Sequence, residues 1–260
     1  MMRLRIRRHL WPWALFALLL AGWGLGSDGV VDLGARLQPP GLSHAFGTDE
    51  LGRDLLRRFL LGGARSFTLA CVITALNLTV GLALALVCQP FKGLRQGLLA
   101  VADLLASVPP TLLALLLLTL LRPGVGSLGL ALAVGGWIPF ARLALNRLDA
   151  LAHDPSLMLL RVAGASGWHR AFRHLLPRLW PLLGTQASVG LGSVVLVEGG
   201  LGFLGLGLPP GLASWGGMLA SGRAFLLASP WGLFWPAIGL LGLLLASDEL
   251  RRRVAPESGC

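Results

Sequence analysis

No charged side chain interrupts the stretch SFTLACVITALNLTVGLALALVC, residues 66–88, which lies between Arg65 and Lys92. A helix that crosses the hydrocarbon core of a bilayer needs about 20 mostly apolar residues, and this stretch supplies them. Charge-free intervals of similar length recur along the chain, bounded by Asp103 and Arg122, Arg122 and Arg142, Arg178 and Glu198, and Arg223 and Asp248. The pattern predicts a bundle of transmembrane helices.

The composition supports a membrane protein and argues against a soluble one. Hydrophobic residues make up 55% of the chain and charged residues 13%, whereas soluble domains carry roughly one-quarter charged residues. The net charge of +10 does not indicate nucleic-acid binding, because the basic residues are spread over short connections and form no basic face interleaved with aromatics. We therefore expect the apolar surface of the chain to contact membrane lipid.

The amino terminus combines an Arg-rich segment, Met1–His9, with an apolar one, Leu10–Gly26. This arrangement is typical of a secretory signal peptide, which stays open as an alternative. An uncleaved first span is favoured for two reasons. No small-x-small cleavage site follows the apolar segment, and tryptophans lie near its ends at positions typical of interfacial anchors: Trp11, Trp13 and Trp23.

Hydropathy and charge together predict an all-α integral membrane protein with about six transmembrane helices. We expect these spans near 10–26, 66–88, 97–121, 125–143, 179–199 and 228–247. With the amino terminus inside, 15 of the 22 Lys and Arg residues fall on the cytoplasmic side and 7 outside. The positive-inside rule therefore predicts that both termini are cytoplasmic.

The connection from 146 to 178 is too long for a simple turn and too apolar for a solvated loop. Asp154 suits the cap of a helix whose first turn contains Pro155, and apolar positions then recur at helical spacing until Gly164. A second short helix is predicted from Trp168 to Leu176, ending at Pro177. Such an amphipathic hairpin buries its apolar side against lipid headgroups or against a partner protein, and the residues alone leave both open.

This connection also carries a family resemblance. The stretch RVAGAS, residues 161–166, followed by HLLP, residues 174–177, resembles the EAA loop of binding-protein-dependent ABC transporter permeases. Gly164, Leu176 and Pro177 stand at the spacing of that pattern, whereas Met158 occupies the position of its glutamate. In the family, this loop forms a helix that docks into a groove on the ATPase subunit, so the missing glutamate changes its polar contacts.

Two other segments resemble the second-subunit permeases of dipeptide, oligopeptide and nickel importers. They are HAFGTDELGRD, residues 44–54, and LGFLGLG, residues 201–207, which is followed by SWG, residues 214–216. The resemblance spans about residues 44–253 and implies a type I ABC importer permease fold. It divides the chain into an amino-terminal segment with the first span, 1–43, a transmembrane domain, 44–253, and a tail, 254–260.

The resemblance implies roles for several groups of residues. The ATPase-coupling loop would comprise Asp154, Leu157, Met158, Leu160, Arg161, Ala163, Gly164, Ala165, Ser166, Leu176 and Pro177. It implies four partners: a homologous permease, two ATP-binding subunits that hold ATP and Mg²⁺, and an extracytoplasmic substrate-binding protein. It also implies a place in the bacterial cytoplasmic (inner) membrane.

Outside this loop, the sequence offers two further groups of candidate residues. Asp103 and Glu198 are ionisable groups near membrane depth, which predicts that they line or gate a pathway unless they lie at the interface. The second group is called the external signature and comprises Gly47, Thr48, Asp49, Gly52, Arg53 and Asp54. Its pattern is that of a capped, salt-bridged helix start, with Thr48 or Asp49 as the cap. Docking of the binding protein is the functional alternative.

No catalytic, metal or cofactor pattern is present in the sequence. The only lysine, Lys92, lies outside any Walker A spacing, and the histidines and cysteines lack metal-ligand spacing. We therefore expect a non-catalytic permease subunit of an ABC importer for peptides, nickel or a metal chelate. A secondary transporter is the nearer rival. An intramembrane enzyme that uses Asp103 or Glu198 is the more distant one, because it lacks a paired motif such as His-Glu-x-x-His.

Overall fold

A computed structural model describes residues 11–122, 124–152, 154, 171–209 and 211–255 of the chain. These residues are helical apart from their connections, with one isolated β-bridge between Thr48 and Asp54. The α-helices are α1 Trp11–Ala21, α2 Leu55–Cys88, α3 Lys92–Ala106, α4 Pro110–Leu120, α5 Val125–Ala133, α6 Ile138–Ala152, α7 Leu176–Phe203, α8 Trp215–Gly222 and α9 Trp231–Val254.

Four helices in the described part of the chain are long and apolar enough to cross a membrane. They are α2, the run Val125–Leu151 that joins α5 to α6, the run Arg173–Phe203 that contains α7, and α9. Large apolar side chains are exposed along these helices, as expected for surfaces that face lipid: Leu76, Val87, Leu130, Leu196, Leu241 and Leu245. The predicted all-helical membrane fold is confirmed.

The span predicted at 97–121 is not a single straight helix. Its two halves, α3 and α4, meet at an angle of 87°. Pro109 and Pro110 explain the break, because proline disfavours the helical conformation of the residue before it and supplies no backbone donor. Pro110 then occupies the first turn of α4, where the missing donor costs nothing. The pair makes a fifth span only when both halves are counted together.

The first predicted span, 10–26, is described from Trp11 onward. Helix α1 has 11 residues and continues into a 3₁₀ turn, Gly22–Leu25, after which Gly26 has a positive φ of 73°. Gly22 lies directly against α2, where an added Cβ would come within 2.4 Å of the Leu60 carbonyl oxygen. The described part of this segment is therefore a helical run packed on α2, and the full crossing stays a prediction.

One part of the hydrophobic core forms around Trp215 in the short helix α8. Its indole is fully buried, donates Nε1–H to the Phe59 carbonyl at 2.9 Å, and stacks on the Phe59 ring with centroids 5.3 Å apart. Gly63 of α2 and Gly239 of α9 make room for it, since a Cβ on either would lie less than 3 Å from the indole. Helices α2, α8 and α9 thus pack around one aromatic side chain.

Candidate functional site

The external signature folds around the buried carboxylate of Asp49. Its Oδ1 accepts hydrogen bonds from the backbone N–H groups of Leu51 and Arg53 at 2.8 and 2.9 Å, and its Oδ2 pairs with Arg53 Nε at 2.8 Å and with the Arg58 guanidinium. Burial raises the pKa of Asp49, but the backbone N–H of Arg53, the Arg58 charge and the other donors outweigh it and hold this pKa below its ordinary value.

The cap of α2 is Asp54, and not Thr48 or Asp49 as the sequence predicts. Asp54 accepts a hydrogen bond from the Arg57 backbone N–H at 2.9 Å and contacts His44 Nδ1 at 2.9 Å. Thr48 is buried and closes the loop, because its hydroxyl donates to the Ala35 carbonyl and accepts from the backbone of Gln38. Asp54 therefore caps the helix, Thr48 closes the loop before it, and Asp49 forms the ion pairs.

The two glycines of the signature occupy positions that no other residue fits. Gly47 and Gly52 have φ values of 80° and 73°, in the left-handed region that favours glycine. A Cβ on Gly52 would lie 1.7 Å from the Asp32 carbonyl oxygen, and one on Gly47 would lie 2.6 Å from that of Gln38.

A second ion pair joins distant segments beside the signature, and sequence reasoning missed it. Arg65 of α2 binds Asp28 at 2.5 Å, and the other oxygen of Asp28 accepts the backbone N–H of Ala213 at 2.7 Å. The next residue, Ser214, caps α8 by accepting the Gly217 N–H at 3.0 Å. Asp28 and Ala213 are too far apart in sequence for local spacing to indicate this contact.

Glu198 lies within the helix packing. Its side chain is 1% exposed and faces Ser66 of α2 and Ser214 at the start of α8. Both carboxylate oxygens of Glu198 are buried beside these two serines. Glu198 therefore lies at the junction of α7, α2 and α8, and its role in lining or gating a pathway stays a prediction.

Asp103, the other predicted pathway residue, is exposed and paired. It lies on α3 with 72% of its side chain accessible and forms an ion pair with Arg142 of α6. This pair connects two helices beside their breaks, since α3 ends three residues later and α6 begins four residues earlier.

Ion pairs also hold the ends of the predicted coupling loop. Asp154, just after α6, binds Arg178 near the start of α7 at 2.6 Å. Asp149 of α6 binds Arg95 of α3 and accepts a hydrogen bond from the Gln89 side chain at 2.9 Å. The middle of the predicted loop lies outside the described residues: Leu157, Met158, Leu160, Arg161, Ala163, Gly164, Ala165 and Ser166.

The end of this loop differs from the prediction. A π-helical turn, Ala171–Leu175, runs directly into α7, which begins at Leu176. Pro177 lies within the first turn of α7, so it starts the long helix without separating it from the turn before it.

A cavity of about 300 Å³ opens at the two helix breaks in the middle of the bundle. Its walls come from the α3–α4 break around Val108, from the α5–α6 break around Gly135, and from the facing sides of α2 and α7. The polar residues that line it are Thr74, Asn77, Gln186 and Ser193. Sequence reasoning missed them, because a single polar residue within an apolar run is the only signal each one gives.

Comparison with known proteins identifies the family. The binding-protein-dependent transport system inner membrane component family matches residues 77–257. The chain belongs to this family. It is therefore an ABC importer permease, a multi-pass membrane subunit of transporters that work with ATPase and substrate-binding partners.

The permease is similar to several curated peptide permeases. It is 33% identical to a probable D,D-dipeptide transport system permease protein, DdpC, of Escherichia coli, covering 94% of this chain and 84% of the relative. It is 30% identical to the oligopeptide transport system permease protein OppC of Bacillus subtilis, covering 85% of this chain and 74% of the relative. A putative peptide transport system permease protein of Brucella suis is 34% identical, covering 93% of this chain and 83% of the relative.

The fold of the permease is also similar to that of a solved ABC transporter chain. A chain in the inward-facing structure of the MetNI methionine ABC transporter aligns with a TM-score of 0.59 and 18% identity, over 78% of this chain and 98% of that one. At this identity, the likeness supports the type I permease fold and nothing finer.

Proposed function

We propose that this chain forms one half of the translocation pathway of a peptide importer, with a homologous permease as the other half. Two separate ATP-binding subunits would drive it, and an extracytoplasmic binding protein would deliver the cargo. The observation that carries the proposal is the set of relatives named above, which are named as peptide permeases and align over most of the chain. Nickel and metal-chelate cargo, which the sequence left open, have no such support.

The geometry supports a route from the coupling loop to the pathway. The loop enters from α6 and leaves into α7, and the Asp154–Arg178 pair links its two ends. The same two helices line the cavity, α6 through Phe140 and α7 through Gln186 and Ser193. A pull on the loop by closing ATPase subunits would therefore move two walls of the cavity together.

The remaining candidate residues receive different roles in this proposal. Asp103 and Arg142 act as a closure between α3 and α6, which must separate for the cavity to widen. Glu198 positions α8 against α2. The external signature, stiffened by Asp49, Arg53 and Arg58, presents a fixed surface to the binding protein.

The proposed coupling is tested by reversing the apolar character of the loop. In the complete transporter reconstituted in vesicles, a Leu157→Asp, Leu160→Asp variant is expected to retain ATP hydrolysis while peptide uptake falls at least tenfold. A matched Leu157→Met, Leu160→Met variant keeps the apolar surface and serves as the control. Uptake at the control level by the charged variant would contradict the coupling role.

The rival secondary transporter makes a different prediction. It would take up peptide through this chain alone, with an ion gradient as the driving force. Affinity purification from membranes distinguishes the two, because an importer permease is expected to co-purify with a second permease and two ATP-binding chains.

A further inference from the structure

A groove of about 270 Å³ runs along the outside of the bundle between α7 and α9. Both helices contribute to its lining, which consists of Ser188, Val189, Gly192, Ser193, Leu196, Leu244, Ser247, Asp248 and Arg251. Gly192 of α7 lies against Ser247 of α9. About two turns later, Gly199 lies against Leu240, so the two helices are antiparallel. The groove therefore has a charged end, at Arg251, and an apolar end further from the carboxyl terminus of α9.

The serines that line the groove use their hydroxyl donors within their own helices. The Ser188 hydroxyl donates to the Gly184 carbonyl at 3.0 Å, and the Ser247 hydroxyl donates to the Leu243 carbonyl at 2.8 Å. The Ser193 hydroxyl likewise donates to a carbonyl of α7 at 3.0 Å. Glycine, valine and leucine supply the rest of the surface away from the charged end, so this part of the groove suits hydrocarbon better than water.

Exposed apolar side chains extend this surface on both sides of the groove. They are Val189 and Leu196 on α7, and Leu241 and Leu245 on α9. Both helices are apolar enough to cross a membrane, so this surface lies at the depth of acyl chains. From Ser188 to Leu196 the groove is about 12 Å long, since a helix rises about 1.5 Å per residue. One leaflet contributes about 15 Å to the hydrocarbon core, so the groove accommodates most of one acyl chain.

Two arginines lie at the charged end of the groove. Arg251, which lines the groove, and its neighbour Arg252 each pair with Asp248 at 2.7 Å. Their side chains nevertheless remain 41% and 67% exposed, and a guanidinium carries five N–H donors, so each retains donors for an oxyanion. Three arginines and two carboxylates lie within residues 248–253, which leaves one positive charge at this end. Guanidinium groups in such a place match a phosphate in both charge and geometry.

The groove and the cavity in the middle of the bundle lie on different sides of α7. Gly190 and Val194 belong to the lining of the cavity, whereas Ser188 and Gly192 belong to that of the groove. At 3.6 residues per turn, the two sets of lining residues on α7 are centred roughly a third of a turn apart. Ser193 lies between them and borders both. A second permease that closes the cavity therefore leaves the groove open to lipid.

We infer that this groove binds an anionic phospholipid, with one acyl chain between α7 and α9 and the phosphate at Arg251 and Arg252. The apolar lining selects a hydrocarbon chain, and the arginines select the phosphate at its end. A zwitterionic lipid also has a phosphate, but its ammonium group meets the positive charge that remains at this end. The inference goes beyond the proposed function, because the lipid is a resident ligand and not cargo.

The experiment labels the complete transporter in phosphatidylcholine vesicles that contain a trace of photoactivatable lipid. The two probes are phosphatidylglycerol and phosphatidylcholine, each with a diazirine at the same position of the same acyl chain. Mass spectrometry measures how strongly each probe labels residues 188–196 and 241–251. Phosphatidylglycerol is expected to label them about fivefold more strongly, because one positive charge near a membrane surface is worth about 1 kcal/mol for an anionic lipid.

Substitutions at the charged end test the position of the phosphate. Arg251→Gln is expected to reduce labelling by phosphatidylglycerol about fivefold, to the level of phosphatidylcholine. Arg253→Gln is the matched control, because it removes the same charge two residues away but pairs with Glu249 and does not line the groove. It is expected to keep the preference of the wild type. Arg251 is partly exposed, so its substitution is expected to leave the fold intact.

A substitution that fills the groove tests the position of the acyl chain. Gly192→Leu places a side chain in the groove and is expected to reduce labelling by both probes. Gly126→Leu on α5 is its control, because a Cβ there meets nothing within 4 Å. If Gly192→Leu does not fold, the comparison of the two arginine variants still decides.

Three results would overturn the inference. Equal labelling of the wild type by the two probes would show ordinary contact with bulk lipid. Equal effects of Arg251→Gln and Arg253→Gln would show that the groove does not hold the phosphate. Absence of labelling by either probe would show that another chain, such as the second permease, covers the groove. Failure of peptide import would leave the expected labelling unchanged, so the two proposals are tested separately.

Discussion

At the scale of single residues, the most constrained group is the ion pair between Asp49 and Arg58. Both side chains are buried, and Arg58 is 8% exposed with its Nε lacking a partner in the part of the chain that the structure describes. Asp49 also receives two backbone N–H groups and Arg53. Removing one member of such a buried pair leaves the other charge without compensation, which is more costly than losing a surface pair.

Asp49→Asn is accordingly expected to lower the free energy of unfolding by about 3 to 5 kcal/mol. The effect depends on pH, because the pKa of Asp49 in the folded protein is below its ordinary value. The stabilisation is fully present above the ordinary pKa, and it is lost progressively as the pH falls from there through the pKa of the folded protein. Thermal unfolding of the purified permease in detergent, followed between about pH 6 and about pH 3, measures both effects.

The control for this prediction is Glu50→Gln. Glu50 reaches Arg53 at only 3.5 Å and is less buried, so its loss is expected to cost under about 1 kcal/mol. Equal destabilisation by the two variants, or a loss in Asp49→Asn that stays constant down to pH 3, would show that the buried pair does not hold the signature together.

Gly52 provides a second prediction at this scale. Gly52→Ala is expected to destabilise the protein by more than about 2 kcal/mol, since the positive φ itself costs about 1 to 2 kcal/mol for alanine and the new Cβ meets the Asp32 carbonyl. Gly97→Ala in α3 is the matched control, because a Cβ there meets nothing within 4 Å and alanine favours a helix. Similar unfolding temperatures for the two variants would contradict the close approach.

At the scale of elements, hydropathy predicts the helices that long apolar runs specify, and fails where local backbone chemistry intervenes. The runs around Ser66–Cys88 and in α7 and α9 were predictable because each is apolar over a full crossing. The 87° bend between α3 and α4 was not predicted from hydropathy. Pro109 and Pro110 change the direction of the helix without changing the apolar character of the run. The Asp54 cap was also missed, since Thr48 and Asp49 precede it in the sequence and also carry side chains that can cap a helix.

The site shows the same division between local and distant signals. Motif spacing indicated the signature and the loop ends, and the structure places Asp49, Arg53 and Asp54 together. The cavity required knowledge of which helices are neighbours: Thr74 and Gln186 lie 112 positions apart and meet only because α2 packs on α7. No periodicity within one helix carries that information.

The pair between α3 and α6 gives a prediction about motion more than stability. Both Asp103 and Arg142 are substantially exposed, so Asp103→Asn is expected to change the free energy of unfolding by less than about 1 kcal/mol. If the pair acts as a closure, the same variant is expected to change the ratio of ATP hydrolysed to peptide imported. The charge swap Asp103→Arg, Arg142→Asp restores the pair and is expected to bring the ratio back towards that of the wild type.

A structural role for the pair makes the opposite prediction. It would lower the unfolding temperature in Asp103→Asn while leaving the ratio of hydrolysis to import unchanged. Measuring the unfolding temperature and the ratio of hydrolysis to import on the same reconstituted transporter therefore distinguishes a closure from a purely structural contact.

At the scale of the whole molecule, the two ends of the described bundle are held together by different contacts. Large apolar side chains are exposed along its helices. One end holds the buried ion pair of Asp49 and the partly buried pair of Asp28, and at the other end an ion pair links Asp154, after α6, to Arg178 of α7. The cavity lies between these ends, where two helix breaks leave space and the helices α2 and α7 supply neutral polar groups. If the loop couples to the ATPase subunits as proposed, its movement would act on the cavity through α6 and α7, which line it.

The most direct test of this account is peptide uptake into vesicles that contain this chain, its permease partner and both ATP-binding subunits, with the binding protein added outside. The account predicts uptake that requires ATP inside the vesicles and the binding protein outside, and that disappears when either ATP-binding subunit is omitted. Uptake by this chain alone, driven by an ion gradient without ATP, would contradict it.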